Sequence, residues 1–205
     1  MLDNSIILVG PLEMARVEVR FHGRGGQGAV TAAELLAEAA ILEGKFTIAF
    51  PEYGAERRGA PVLAFTRIDN ERILEREPIL EPDVVVVLDS SLDPKVYLKG
   101  LKDNGYAVIN TSLKADELAE RLSKMGVKVP RCIATVDATS IAIKHLKTPV
   151  VNTSMLGALV KATKIVELDN ILRSVERKFS DRPHIARANV DAIKEAYSSV
   201  DVRCM

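Results

Sequence analysis

The run Val84-Val85-Val86-Val87-Leu88 is apolar without interruption and rich in β-branched side chains, the pattern of a parallel strand with helices on both faces. Shorter runs at Tyr106 to Ile109 and at Ile133 to Val136 repeat it. Upstream, Val17-Glu18-Val19-Arg20-Phe21-His22 reads as a strand that enters a glycine turn at Gly23, and an Ala-rich helical pattern follows it to about Glu43. The polar positions Thr31, Glu34 and Glu38 fall on one narrow stripe of that helix, so it is expected to be covered on most sides. Lys45 to Phe50 and Val62 to Ile68 read as two further strands. Their connection is short for a crossover, which makes the Val62 strand an antiparallel addition or a sheet extension. Asp69 to Asp83, dense in both charge signs, reads as a solvated connection. Beyond Pro149 the character changes, and the segments from Asn152, from Leu168 to Phe179 and from Ile185 to Tyr197 read as helices. Strands alternating with helices, then helices alone, predict an α/β fold: a Rossmann-like three-layer sandwich with a mostly parallel sheet and a helical C-terminal portion.

The length of 205 residues suits a single domain. Its expected bounds are 14–205, with a strand and helix layer over 14–150 and a helical portion over 151–200. Residues 1–13 are then an extension, and Met14 is a candidate start. Apolar residues make up 47% and charged residues 27%, a globular balance. Lys and Arg number 28, as do Asp and Glu, so no net field draws nucleic acid or an anionic membrane. No segment approaches a membrane span, and the first ten residues lack the basic start and length of a signal peptide. Cys132 and Cys204 are too few and too far apart for a zinc site or an iron–sulfur cluster held by this chain alone. Cys132 reads as a small buried hydrophobe, and two unpaired thiols suit a reducing cytoplasm.

The candidate chemistry is concentrated in Gly23-Arg24-Gly25-Gly26-Gln27-Gly28, which sits between a strand and a helix. Glycines at 23, 25 and 28 satisfy GxGxxG, where missing Cβ atoms let backbone N–H groups and a helix N-terminus approach phosphate. Tight helix–strand packing is the plainer explanation of the same glycines. Arg24, with Arg57 and Arg58 in the loop between Pro51 and Pro61, offers fork-shaped donors to phosphate oxygens, although such a loop is also simply solvated charge. Tyr53 is a candidate for stacking or for plugging a partner's pocket. Glu52 lies near where a dinucleotide site keeps its ribose-binding acid, which keeps an NAD(P)-binding oxidoreductase in view. Three strands end in Asp89, Asn110 and Asp137. Each can face a ligand crevice or cap the next helix, and capping is the ordinary outcome. His22 borders the glycine loop, where a packed strand-end histidine is the expectation. His22, His145 and His184 lack metal-ligand spacing and no nucleophile elbow is present, so no self-contained catalytic site and no metal site are expected.

The blocks His22-Gly23-Arg24-Gly25-Gly26-Gln27-Gly28 and Phe50-Pro51-Glu52-Tyr53-Gly54-Ala55-Glu56-Arg57-Arg58-Gly59, with Asp83 to Asp89 and Met155-Leu156-Gly157-Ala158-Leu159, resemble the gamma subunit of 2-oxoacid:ferredoxin oxidoreductases of the pyruvate or 2-ketoisovalerate type. The resemblance runs from Met14 to about Tyr197. It implies a complex that decarboxylates a 2-oxoacid, releases an acyl-CoA and reduces ferredoxin. Thiamine diphosphate, Mg and iron–sulfur clusters then belong to partner chains of alpha, beta and delta type. This chain's implied role is support for coenzyme A binding and for assembly, with Gly23, Arg24, Gly25, Gly26, Gln27, Gly28, Arg57 and Arg58 as the candidate contacts. A pure assembly scaffold is the alternative within the same complex.

Overall fold

The computed structural model describes residues 16–52 and 60–205. The extension 1–13, Tyr53, Arg57 and Arg58 lie outside the described residues. β1 (Arg16–Arg24) leads through the glycine turn into α1 (Ala29–Leu42), and β2 (Phe46–Pro51) and β3 (Pro61–Asp69) follow. Then come β4 (Val84–Val87), α2 (Pro94–Tyr97), β5 (Tyr106–Asn110), α3 (Ala115–Lys124), β6 (Cys132–Val136) and α4 (Ala138–Leu146). The C-terminal part adds α5 (Asn152–Thr163), α6 (Leu168–Lys178), α7 (Pro183–Ser199) and the last strand, β7 (Asp201–Cys204).

The seven strands of the described residues lie in one sheet in the order β2-β3-β1-β4-β5-β6-β7. The β1, β4, β5 and β6 neighbours pair in parallel, whereas β3 with β1, β2 with β3 and β7 with β6 pair antiparallel. The sheet is therefore mixed, not mostly parallel. The connection after β2 is too short to reach a parallel position, so β3 turns back and inserts between β2 and β1.

The two faces have separate cores. On one, Val19, Phe21, Val86, Val108 and Ala134 pack with α1 and the helices from α4 onward. On the other, Val85, Val87, Ile109 and Ile133 meet α2 and α3. The first face is deeper than a single helical layer, because α5 packs on β5 and β6 and is itself covered by α7. Every residue of α5 from Asn152 to Val160 is buried. Gly157 makes this closeness possible: a Cβ there would run into the Ile193 carbonyl and the Tyr197 backbone nitrogen. α1 is buried over most of its length apart from the stripe of Thr31, Glu34 and Glu38 that its sequence predicts, and its C-terminal end exposes Ile41 and Leu42.

Three further expectations need correction. The cysteines are not free thiols but a disulfide, Cys132 to Cys204, formed where these two residues face each other across β6 and β7 with Cα atoms 4.1 Å apart. β7 itself is a strand added after the helical portion. The segment 70–82 is more than a solvated connection: Ile79 is buried, and carbonyls of Glu75, Ile79 and Leu80 accept hydrogen bonds from Arg67 and Arg20.

Candidate functional site

β1 and β4 run in parallel, with His22 opposite Val87, so the glycine loop and Asp89 emerge side by side at their carboxyl ends. The Leu88 N–H donates to the His22 carbonyl at 2.7 Å and extends the pairing to the edge of the loop. Gly26 has φ +95° and Gly28 has φ +82°, a backbone region that glycine enters without a Cβ penalty. Gly28 is required twice, since a Cβ there would also lie 2.5 Å from the Asn152 amide at the start of α5. The beginnings of α1 and α5 thus meet at this glycine.

Much of the loop's polarity is spent inside the fold. The Arg24 N–H donates to Gln27 Oε1 at 2.7 Å, the Gln27 N–H to the Arg24 carbonyl at 3.0 Å, and the Gly25 N–H to the Ala60 carbonyl at 2.9 Å. Gly26 is the exposed tip. α1 begins at Gly28 with no side-chain cap among the described residues and no acidic residue in its first turn. The N–H groups of its first turn therefore point out of the helix end, where the macrodipole favours an anion.

Arg24 is engaged as well. Its Nε donates to Asp89 Oδ2 at 2.7 Å and its Nη2 to Ser91 Oγ at 3.1 Å, while the Ser91 N–H donates to Asp89 Oδ1 at 2.9 Å. Burial alone would raise the Asp89 carboxyl, but hydrogen bonds from Ser91 and Arg24 outweigh it and hold the group below its usual range. Asp89 is thus neither a helix cap nor an empty acid in a crevice. Asn110 also departs from the capping expectation for its own helix. It donates to the Leu88 carbonyl and exchanges hydrogen bonds with Thr139 in the first turn of α4. Asp137 does cap α4, accepting from the Ser140 N–H at 2.9 Å.

His22 is the packed strand-end histidine its position suggests, 4% exposed. Its Nε2 accepts from Arg20 Nε at 2.9 Å. Burial, with the Arg20 guanidinium second, pushes the imidazole down to about 3, so it stays neutral. Sequence reasoning passed over Arg20. It spends all five guanidinium N–H groups, on His22 and on the carbonyls of Ile79, Leu80, Tyr97 and Lys99, at 2.5 to 3.3 Å. Its placement between Val19 and Phe21 on an alternating strand makes it look solvent-facing, and its carbonyl partners lie 59 to 79 residues away.

Glu52 does not occupy the dinucleotide position. β3 separates β2 from β1, whereas a ribose-binding acid requires the second strand beside the first. Among the described residues no cluster of three or more His, Cys, Asp or Glu could hold a metal, and the disulfide leaves neither cysteine as a thiolate ligand. A groove of about 600 Å³ opens beside the Ser91 corner between α2 and α3, floored by Tyr97, Ile109 and Leu122.

The family model described as pyruvate ferredoxin/flavodoxin oxidoreductase matches residues 18–199. The chain is 51% identical over 187 residues to the common gamma subunit of pyruvate/ketoisovalerate oxidoreductases from Pyrococcus furiosus, covering 91% of this chain and 98% of the relative. It is 45% identical over 186 residues to pyruvate synthase subunit PorC from Methanothermobacter thermautotrophicus, covering 90% and 96%. The crystal structure of pyruvate oxidoreductase subunit PORC from Thermotoga maritima superposes with a TM-score of 0.79 at 40% identity, covering 92% of this chain and 99% of that one. A 2-oxoglutarate:ferredoxin oxidoreductase from Magnetococcus marinus shares the fold at 19% identity and a TM-score of 0.69, with this chain covering 31% of its length. The chain belongs to the pyruvate ferredoxin/flavodoxin oxidoreductase family and is the gamma subunit of a multi-subunit 2-oxoacid:ferredoxin oxidoreductase.

Proposed function

We propose that this subunit contributes the glycine-loop part of a coenzyme A site and helps hold together a complex that converts a 2-oxoacid, pyruvate first among the candidates, to acyl-CoA, CO2 and reduced ferredoxin. One observation carries the CoA part: the uncapped start of α1 at Gly28 presents helix N–H groups beside Arg24, an arrangement that suits one phosphate group. The internal bonds of Arg24, Gly25 and Gln27 limit the contact to the Gly26–Gly28 tip and the first turn of α1. Gly23 and Gln27 then shape the loop, and Arg57 and Arg58 are the candidate donors to further phosphate oxygens in this reading. Thiamine diphosphate supplies the decarboxylation chemistry when bound, and the clusters require thiolates, whereas both cysteines of this chain are joined in a disulfide. Alpha, beta and delta-type partners carry them in this reading, and ferredoxin takes the electrons. The sequence relationship to a subunit shared by pyruvate and ketoisovalerate enzymes favours pyruvate or a branched 2-oxoacid.

The test is the whole complex, purified anaerobically on a tag at this chain, with viologen reduction followed as 2-oxoacid and CoA are varied. Alanine at both Arg57 and Arg58 is expected to raise the KM for CoA about tenfold while leaving the KM for the 2-oxoacid unchanged. An unchanged KM for CoA with intact assembly would remove the CoA role. Loss of assembly at wild-type CoA dependence would favour the scaffold reading.

A further inference from the structure

The chain carries no net charge, yet cations gather on one side of it. Between Lys95 and Arg131 lie eight Lys or Arg against four Asp or Glu, whereas Asp69 to Asp83 holds six acids against two arginines. On the basic side the 600 Å³ groove meets a second one of about 280 Å³, and Lys95 lines both. The first groove reaches Thr111, just after β5, and the second reaches Pro130, just before β6. End to end they span the height of the sheet, about 17 Å for a five-residue strand. The floor is apolar throughout: Tyr97, Ile109 and Leu122 in one part, Leu98, Leu101 and Val127 in the other.

Two features set this trough apart from an ordinary surface crease. Val96 and Met125 stand beside it 61% and 43% exposed. Lys95, Lys99 and Arg121 form no ion pair among the described residues, while Lys102 and Lys128 are held by Asp83 and Asp103. Unpaired cations around an apolar floor match a ligand with spaced apolar groups and carboxylates between them. The length of the trough favours a polypeptide over a small molecule, which is gripped in a shorter enclosure.

We propose that the trough between α2 and α3 is a docking surface for an acidic segment of another subunit of the same complex. The segment's apolar side chains lie on the floor and its carboxylates pair with Lys95, Lys99 and Arg121. The proposal rests on the subunit assignment and not on the CoA reading, since none of these side chains belongs to the glycine loop.

The experiment uses the complex assembled from co-expressed subunits. Lys95→Glu, Lys99→Glu and Arg121→Glu together are expected to weaken association of this chain at least about tenfold and to flatten its salt dependence, because the steering charges are reversed. The same positions changed to Gln, which add no like charge to the rim, are expected to give a smaller loss in the same direction. Zero-length carbodiimide coupling of the wild-type complex is expected to join Lys95 or Lys99 to an Asp or Glu of a partner. Wild-type association and salt dependence in both variants would overturn the proposal. So would cross-links between subunits that bypass Lys95 and Lys99, or a chain that sediments with phosphatidylserine vesicles through these lysines while assembly stays unchanged. The KM for CoA of whatever complex forms reports separately on the glycine loop.

Discussion

The sheet has two unlike halves on either side of the β1–β4 junction. From β4 to β6 both faces are apolar and both are covered by helices. From β1 to β2 the α1 face is apolar, and the opposite face mixes polar side chains with Phe65 and Phe50, whose rings lie 5.1 Å apart. On that face Arg20 and Arg67 donate to carbonyls of the irregular segment 70–82, and the buried His22 meets the Tyr97 ring edge-on. The first half is held by packing, which is insensitive to direction. The second adds to its packing a set of directed hydrogen bonds, each of which leaves a stranded partner if it is lost. The glycine loop stands at the junction, with its backbone on one half and its Asp89 anchor on the other.

The largest effect expected from breaking this difference follows Arg20→Met. The change keeps volume and apolar contact but withdraws five donors at once, leaving four carbonyls and an imidazole nitrogen without them. The expected cost is about 3 kcal/mol in denaturant unfolding. Segment 70–82 should also become the first site of protease cleavage. A loss under about 1 kcal/mol, with cleavage unchanged, would mean that this half too is held mainly by packing.

The halves also differed in how far they could be read from sequence. The run from Val84 to Leu88 announces a doubly covered strand because both faces need apolar side chains. In β1 the pattern Val17, Val19, Phe21 was equally plain, but the alternate positions Glu18 and Arg20 look solvent-facing until a distant segment is known to cover them. That covering depends on pairings 59 to 79 residues apart, which no local pattern encodes. β7 was missed for the same reason. It is four residues long, and its support comes from Cys132, from Asp201 accepting the Ala115 N–H at the start of α3, and from Arg203 meeting Asp116. At the candidate site the glycine loop was legible as a motif. Its internal bonds, its engagement of Arg24 by Asp89 and its contact with Asn152 were not, because each partner arrives from another part of the chain.

A smaller effect is expected at the sheet's two edges. Among the described residues β2 ends the sheet and pairs with β3 alone, whereas β7 is joined to β6 covalently. Reduction with a phosphine should cost about 2 kcal/mol of global stability, at the low end for a disulfide closing a long loop. Amide exchange should accelerate first at residues 201–204 and leave β4 and β5 protected. If β7 exchanges no faster after verified reduction, its side-chain contacts with α3 are sufficient and the covalent link adds nothing local.

The smallest effect sharpens the comparison most, because it titrates one buried group in the polar half. His22 is neutral in the fold, with its affinity for a proton pushed down from 6.5 to about 3. In the unfolded chain it takes a proton as pH falls through 6.5, and in the folded chain it does not. Acidification therefore feeds the unfolded state, and the associated stability, full above pH 6.5, is lost progressively towards pH 3. By pH 5.5 the loss is about 1 kcal/mol. His22→Gln keeps an acceptor for Arg20 Nε but removes the titration, so the difference in unfolding free energy between wild type and variant should shift in the variant's favour from pH 7 to pH 5.5. His145 and His184 are common to both proteins and cancel in that difference. A constant difference across this range would mean that protons reach His22 in the folded state, and that the polar half opens to solvent where the apolar half does not.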